Sequence, residues 1–148
     1  MTKNVRTMII DLRKIVACFV VVAAFSCSQP EGFQEPEDPL DAGREFVRAT
    51  LDGDFEKASL YIIEDQEDKE IYERYEAYMK KQPKPERLKL KSASIIINKV
   101  EKLSDSVTII DFSNSYTMKP TDLKVLKMGN TWKVDFSYTF SGNLPVHD

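Results

Sequence analysis

Pro83 and Pro85 divide the hydrophobic pattern of this 148-residue chain into two regimes, and that division constrains its fold more than any other feature. Upstream, apolar residues recur every three or four positions, the spacing of a helix with one buried face. Downstream, the spacing falls to two, the spacing of a half-buried strand. Proline cannot donate a backbone hydrogen bond and clashes with the preceding turn, so a helix arriving at Pro83 must stop. Helices followed by consecutive strands predict an α+β domain, with N-terminal helices packed on a curved antiparallel sheet.

The helical part begins at Asp38, which can cap, with Pro39 suited to the first helical position and Asp41 to the positive end of the helix dipole. Gly43, Phe46, Val47, Thr50 and Leu51 share a face, and Gly53 can end the helix. Asp54 can cap a second helix carrying Phe55, Ala58, Tyr61 and Ile62. A third is expected from about Gln66 to Gln82, with Ile71, Tyr72, Tyr75, Tyr78 and Met79 on one face. Its Glu70/Arg74 and Glu76/Lys80 pairs have i,i+4 spacing.

Strands are expected within Glu86–Val100 and Ser106–Tyr116, where the in/out phase slips at Ile109-Ile110 and suggests a bulge. Another is expected over Leu123–Met128, leading into the two-residue hairpin signal Gly129-Asn130. Trp132, Val134, Phe136, Tyr138 and Phe140 then alternate with Lys133, Asp135, Ser137 and Thr139. This is the clearest period-two pattern in the chain and predicts a final strand to Phe140. Residues from Ser141 onward read as a frayed tail.

The N-terminal segment has a different character. Lys3, Arg6, Arg13 and Lys14 precede the apolar run Ile15–Phe25, and the order cations, apolar run, small residues is that of a secretory signal. A start at Met8 preserves that order. Eleven apolar residues fall short of the ~20 that span a bilayer. The run ends Ala24-Phe25-Ser26-Cys27, which resembles a lipobox, the site at which a cysteine is acylated and the chain is cut before it. Cys27 and Ser26 match that pattern, while Ala24 stands where leucine is preferred and Phe25 is bulky for its place. The same bond also fits an ordinary cleavage that leaves Cys27 a free thiol. Cys18 lies within the leader, so Cys27 is left without an intrachain partner, and an exposed free thiol is a liability in an oxidising compartment. The resemblance implies a signal peptide at 1–26, lipidation of Cys27 with a palmitate-type chain, and a membrane contact through it. The localisation it implies is the cell envelope, on the periplasmic or surface face of the outer membrane. Residues 27–37 are acidic, with proline and glycine, and read as a flexible tether to a domain over 38–148.

The leader holds four of the 21 Lys/Arg and one of the 24 Asp/Glu, so the rest carries about −6. That net-acidic body reads as lacking a Lys/Arg cluster, which disfavours nucleic acid as a partner. His147 is the sole histidine and sits in the tail, so no zinc-type ligand set and no Ser/Cys–His pair can be assembled. The five glycines form no phosphate loop. Glu64–Glu70 is acid-rich but lacks the glycine and terminal glutamate of a calcium loop, and reads as a helix start. No catalytic residue, metal or cofactor is therefore assigned.

Two stretches, Ala49–Ala58 and Leu126–Val134, resemble small lipoproteins with a nuclear transport factor 2-like (cystatin-like) domain, across residues 38–140. That resemblance implies a cone in which a sheet wraps a long helix. It also implies an apolar hollow, and an acid–base pair where the domain is an enzyme. Tyr72, Tyr75, Tyr78, Tyr116, Trp132, Phe136 and Tyr138 are the candidate pocket residues, with core packing as the alternative. Tyr61 is a further tyrosine candidate. Asp135 alternates outward, and an inward Asp111 near Tyr116 is the one acid–base constellation to look for. The expected role is a non-enzymatic binding or interaction module. A small-molecule carrier or enzyme using the cone's pocket is the alternative, and a homodimer formed through the sheet is a further expectation. Three observations separate these readings. An enzyme needs an inward acid in an open cavity, a carrier an open cavity without one, and a scaffold a filled cone with an apolar sheet face.

Overall fold

A computed structural model describes residues 33–140 of the chain, and the structural statements below concern those residues. The 1–26 signal, Cys27, the first part of the 27–37 tether and His147 lie outside them.

Helix α1 (Pro39–Asp52) opens where the capping chemistry places it. The Asp38 carboxylate accepts the Asp41 N–H at 2.8 Å, and Pro39 occupies the first turn. It closes at Gly53, whose φ of +76° is the left-handed conformation that glycine adopts without strain. Asp54 then caps α2 (Phe55–Ser59), and Asp65 caps α3 (Gln66–Lys81) by accepting the Asp68 N–H at 2.8 Å. All three helices begin at the expected positions, but α2 ends at Ser59, so Tyr61 and Ile62, expected on its apolar face, lie beyond it.

A fourth helix, α4 (Lys84–Lys91), occupies the start of the stretch expected to be strand. Leu88 and Leu90 suggest a period of two. Yet Lys84–Lys91 contains no β-branched residue, and its Lys, Arg, Glu and Leu side chains keep their rotamer freedom in a helix. Pro85 falls in the first turn, where its missing N–H costs nothing. The helix is lightly seated. None of its residues is buried, and Arg48 of α1 ties down its end by donating to the carbonyls of Lys91 (3.1 Å) and Ala93 (2.8 Å).

Four antiparallel strands follow as a meander: β1 (Ile95–Ser104), β2 (Val107–Asn114), β3 (Thr121–Met128) and β4 (Thr131–Asp135). Helices followed by a four-stranded antiparallel sheet make this an α+β domain, as the sequence predicts. Gly129-Asn130 joins β3 to β4, with Gly129 at φ +63°. The free edge of β4 receives Tyr61–Ile63. Val134 N donates to the Tyr61 carbonyl at 2.7 Å, and Ile63 N to the Val134 carbonyl at 3.0 Å, in parallel sense.

Two strand expectations need correction. The register breaks lie on β1, at Asn98, between Ile97 facing Phe112 and Lys99 facing Asp111, and at Leu103, between Lys102 facing Thr108 and Ser104 facing Val107. On β2, Thr108, Ile110 and Phe112 alternate inward without a slip at Ile109. The last strand ends at Asp135, and Phe136–Phe140 is a short helix, α5. The cause is Asp68, a carboxylate on α3. It is 1% exposed and accepts the N–H groups of Phe136 and Ser137, each at 2.8 Å. Asp135 accepts the Tyr138 N–H at 3.0 Å and so bends the chain into a turn. A continued strand would set Phe136, Tyr138 and Phe140 on one face. The helical turn instead stacks Phe136 on Phe140, with centroids 4.3 Å apart, and leaves Tyr138 52% exposed.

The core lies between α1, α3 and the inner sheet face. Phe136 sits at its centre, edge-on to Tyr72 (5.2 Å), Phe46 (5.9 Å) and Tyr75 (5.5 Å). Gly43 lets α1 approach the sheet closely. A Cβ there would lie 2.8 Å from Ile110 Cδ1 and 3.2 Å from Leu123 Cδ2. The end of the 27–37 stretch also rests on this domain. Phe33 packs at 5.3 Å from the Tyr61 ring, Pro36 is buried, and the Tyr61 hydroxyl donates to the Gln34 carbonyl at 3.3 Å.

Candidate functional site

The seven candidate pocket residues separate into three groups. Tyr72 and Phe136 are core, 4% and 0% exposed, and the Tyr72 hydroxyl donates to the Phe55 carbonyl at 2.7 Å. Tyr75 joins them on one side and faces a groove on the other. Burial pushes the phenols of both Tyr72 and Tyr75 well above their ordinary value. Tyr75, Tyr78 and Tyr116 line that groove. Trp132 and Tyr138 are not part of it. Trp132 packs at the far side of the core with Lys127 Nζ 5.7 Å from its ring centroid, and Tyr138 lies under Lys124 Nζ at 5.1 Å.

The groove is the hollow left between α1, the C-terminal half of α3, α4 and the inner face of β2. Its volume is about 310 Å³, within the range of small-molecule sites. Phe46, Val47, Leu51, Phe112 and Phe140 form its floor. The rim is polar. Tyr116 donates a short hydrogen bond to Glu86, and Lys89 reaches both Glu86 (3.1 Å) and the Tyr116 hydroxyl (3.3 Å). That bond and the lysine hold the Glu86 carboxyl below its ordinary range. Because α4 replaces the expected strand, it places Glu86 opposite Tyr116, 30 residues away in sequence.

The acids near the core are already committed. Asp68 is spent on the backbone of α5. Asp111 stands on the sheet face opposite Ile110 and Phe112 and accepts from Asn98 at 3.0 Å, so it meets neither the groove nor Tyr116. The inward Asp111–Tyr116 constellation to look for therefore does not form; Asp111 has the parity of Ile109, which alternation on β2 turns away from α1. Asp135 is held by Lys124 at 2.8 Å. Burial raises its pKa, but the bonds from Lys124, the Tyr138 N–H and Ser137 outweigh that and leave it below the ordinary value.

One feature escaped the reading of net charge. Lys80, Lys81, Lys84, Arg87, Lys89 and Lys91 put six cations into twelve residues of an otherwise acidic chain. This is a Lys/Arg cluster where none was expected. A count over a 10–12-residue window would have found it; net charge averages it away. Only Lys80 and Lys89 have carboxylate partners among the described residues, Glu76 and Glu86.

No group of His, Cys, Asp or Glu among the described residues is arranged to hold a metal, and no described helix is long and apolar enough to cross a membrane. The chain matches no family model, no curated protein and no solved structure.

Proposed function

We propose that the chain is an exported envelope lipoprotein, anchored through acylated Cys27, whose α+β domain acts as a non-enzymatic binding or interaction module of the nuclear transport factor 2-like kind. The observation that carries the binding role is the groove of about 310 Å³. It has an apolar floor, and the nearby buried acid Asp68 is spent on backbone hydrogen bonds. General acid–base work needs a proton-transferring side chain free to reach a bound substrate. The groove's own carboxylate, Glu86, lies on the rim and is engaged by Tyr116 and Lys89. Binding needs only the apolar floor and a few polar groups. The centre of the core supports the same reading, because Tyr72 and Phe136 fill it and the groove lies to its side.

The anchor and the binding role are tested separately. Metabolic labelling with a palmitate analogue should mark the wild-type chain and leave Cys27→Ser unmarked and released from the membrane fraction. A Cys27→Ser protein that stays in that fraction disproves the anchor. Native mass spectrometry of the Cys27→Ser chain then reads the module. A small molecule released on activation supports the groove as a carrier site, whereas a bare homodimer moves the role to protein contacts through the sheet.

A further inference from the structure

A second cleft backs onto the groove, between the C-terminal ends of α1 and α3 and the length of α4. Its volume is about 320 Å³. The two hollows share Thr50, Leu51, Met79 and Leu90 as a common wall. Phe55 and Leu88 extend the apolar lining. Lys84, Arg87 and Lys91 stand around the cleft without a carboxylate partner among the described residues. The fourth cation there, Lys80, is tied to Glu76, and the acid there, Asp52, is tied to Arg48 at 3.0 Å. Three uncompensated cations around an apolar lining are an unusual surface for a net-acidic protein.

We infer that this cleft binds a single-chain amphiphile with an oxyanion head, a carboxylate or a phosphate. The head is held at Lys84, Arg87 and Lys91, and the chain lies on Leu51, Phe55, Met79 and Leu90. Charge selects the head, because the three cations have no internal counter-ion. The apolar lining selects the tail, since inorganic phosphate would leave those side chains in contact with water. The inference deepens the binding-module reading and rests on it, but it is indifferent to acylation of Cys27.

The test titrates the full chain carrying Cys27→Ser with dodecanoate, dodecyl phosphate, dodecanol and inorganic phosphate, read by calorimetry and native mass spectrometry. Both anionic amphiphiles should bind at one per chain, with dodecanol and inorganic phosphate at least about tenfold weaker. Lys84→Gln/Arg87→Gln should weaken both amphiphiles about tenfold and leave dodecanol unchanged. Equal binding of dodecanol, equal binding of inorganic phosphate, or amphiphile affinity unchanged in Lys84→Gln/Arg87→Gln would overturn the inference. Failure of the amphiphiles, with some other small molecule found on the wild-type chain, sinks this inference and leaves the module reading standing. A chain that binds nothing at all sinks both.

Discussion

Single residues decide how this chain turns. Asp68 looks like one acid among seven charged or polar residues at a helix start, yet it holds two N–H groups of α5 from 68 and 69 positions away. Hydrogen bonds to a buried carboxylate are about twice as strong as neutral ones. Asp68→Ala leaves both donors unpaired, the Phe136 N–H buried and the Ser137 N–H partly so, and we expect a loss of about 2–4 kcal/mol in denaturant unfolding. The surviving strand–helix junction should lose its near-ultraviolet aromatic signal along with Phe136 packing. Gly43 is a second such position. Its missing Cβ is the space that Ile110 and Leu123 use, and Ile110 is 1% exposed with no room to retreat. Gly43→Val should destabilise by about 1–3 kcal/mol, despite the entropy that glycine loses in a helix. A Gly43→Val protein as stable as wild type would mean that α1 is not pressed against the sheet there.

At the scale of elements, α4 and α5 are where the pattern of apolar residues and the structure part. Both stretches have apolar residues at alternate positions, and both are helical. In α5 the arbiter is Asp68; in α4 it is the absence of β-branched residues and a proline in the first turn. The same alternation over Val107–Asn114 does form a strand, because Val, Thr and Ile favour the extended backbone and pair with β3. The two helices differ in how firmly they are held. Phe136 of α5 is wholly buried, and Phe136→Ala should cost about 3–5 kcal/mol. α4 buries nothing and depends on Arg48. Arg48→Ala should therefore speed amide exchange over residues 88–93 while leaving α1 and the sheet protected. Uniform loss of protection would show instead that Arg48 supports the entire domain.

For the whole molecule, two pH limits follow from the buried titratable groups. Asp135 has a folded pKa below its ordinary value, so the stability it supplies is complete above the ordinary carboxylate range, about 3.9, and is lost as pH falls through the depressed value. Asp135→Asn should narrow the difference in stability between pH 6 and pH 2. Tyr72 and Tyr75 have raised folded values, so their contribution is complete below about pH 10 and is lost as pH rises beyond it. Absorbance near 295 nm should show Tyr72 and Tyr75 ionising only as the fold is lost. Ionisation of Tyr72 and Tyr75 near pH 10 with the fold intact would contradict their burial.

The sequence by itself determined what depends on neighbours along the chain. Asp38, Gly53, Asp54, Asp65 and the prolines after Gln82 set the ends of the first three helices. Gly129-Asn130 set the hairpin, and the switch of period set the α+β class. Caps and tight turns are local, formed by side chains three or four residues from the backbone they bind. Only the tertiary structure decided the rest. Whether Phe136–Phe140 is strand or helix depends on a carboxylate from α3. Which face Asp111 takes depends on β2 keeping its phase while Asn98 on β1 takes the extra position. The groove and the cleft exist because α4 folds as a helix across the ends of α1 and α3, bringing Glu86 to Tyr116 and unpaired cations to Thr50. Periodicity reports that a residue is apolar on one side; it does not report which distant polar group will claim the backbone beside it.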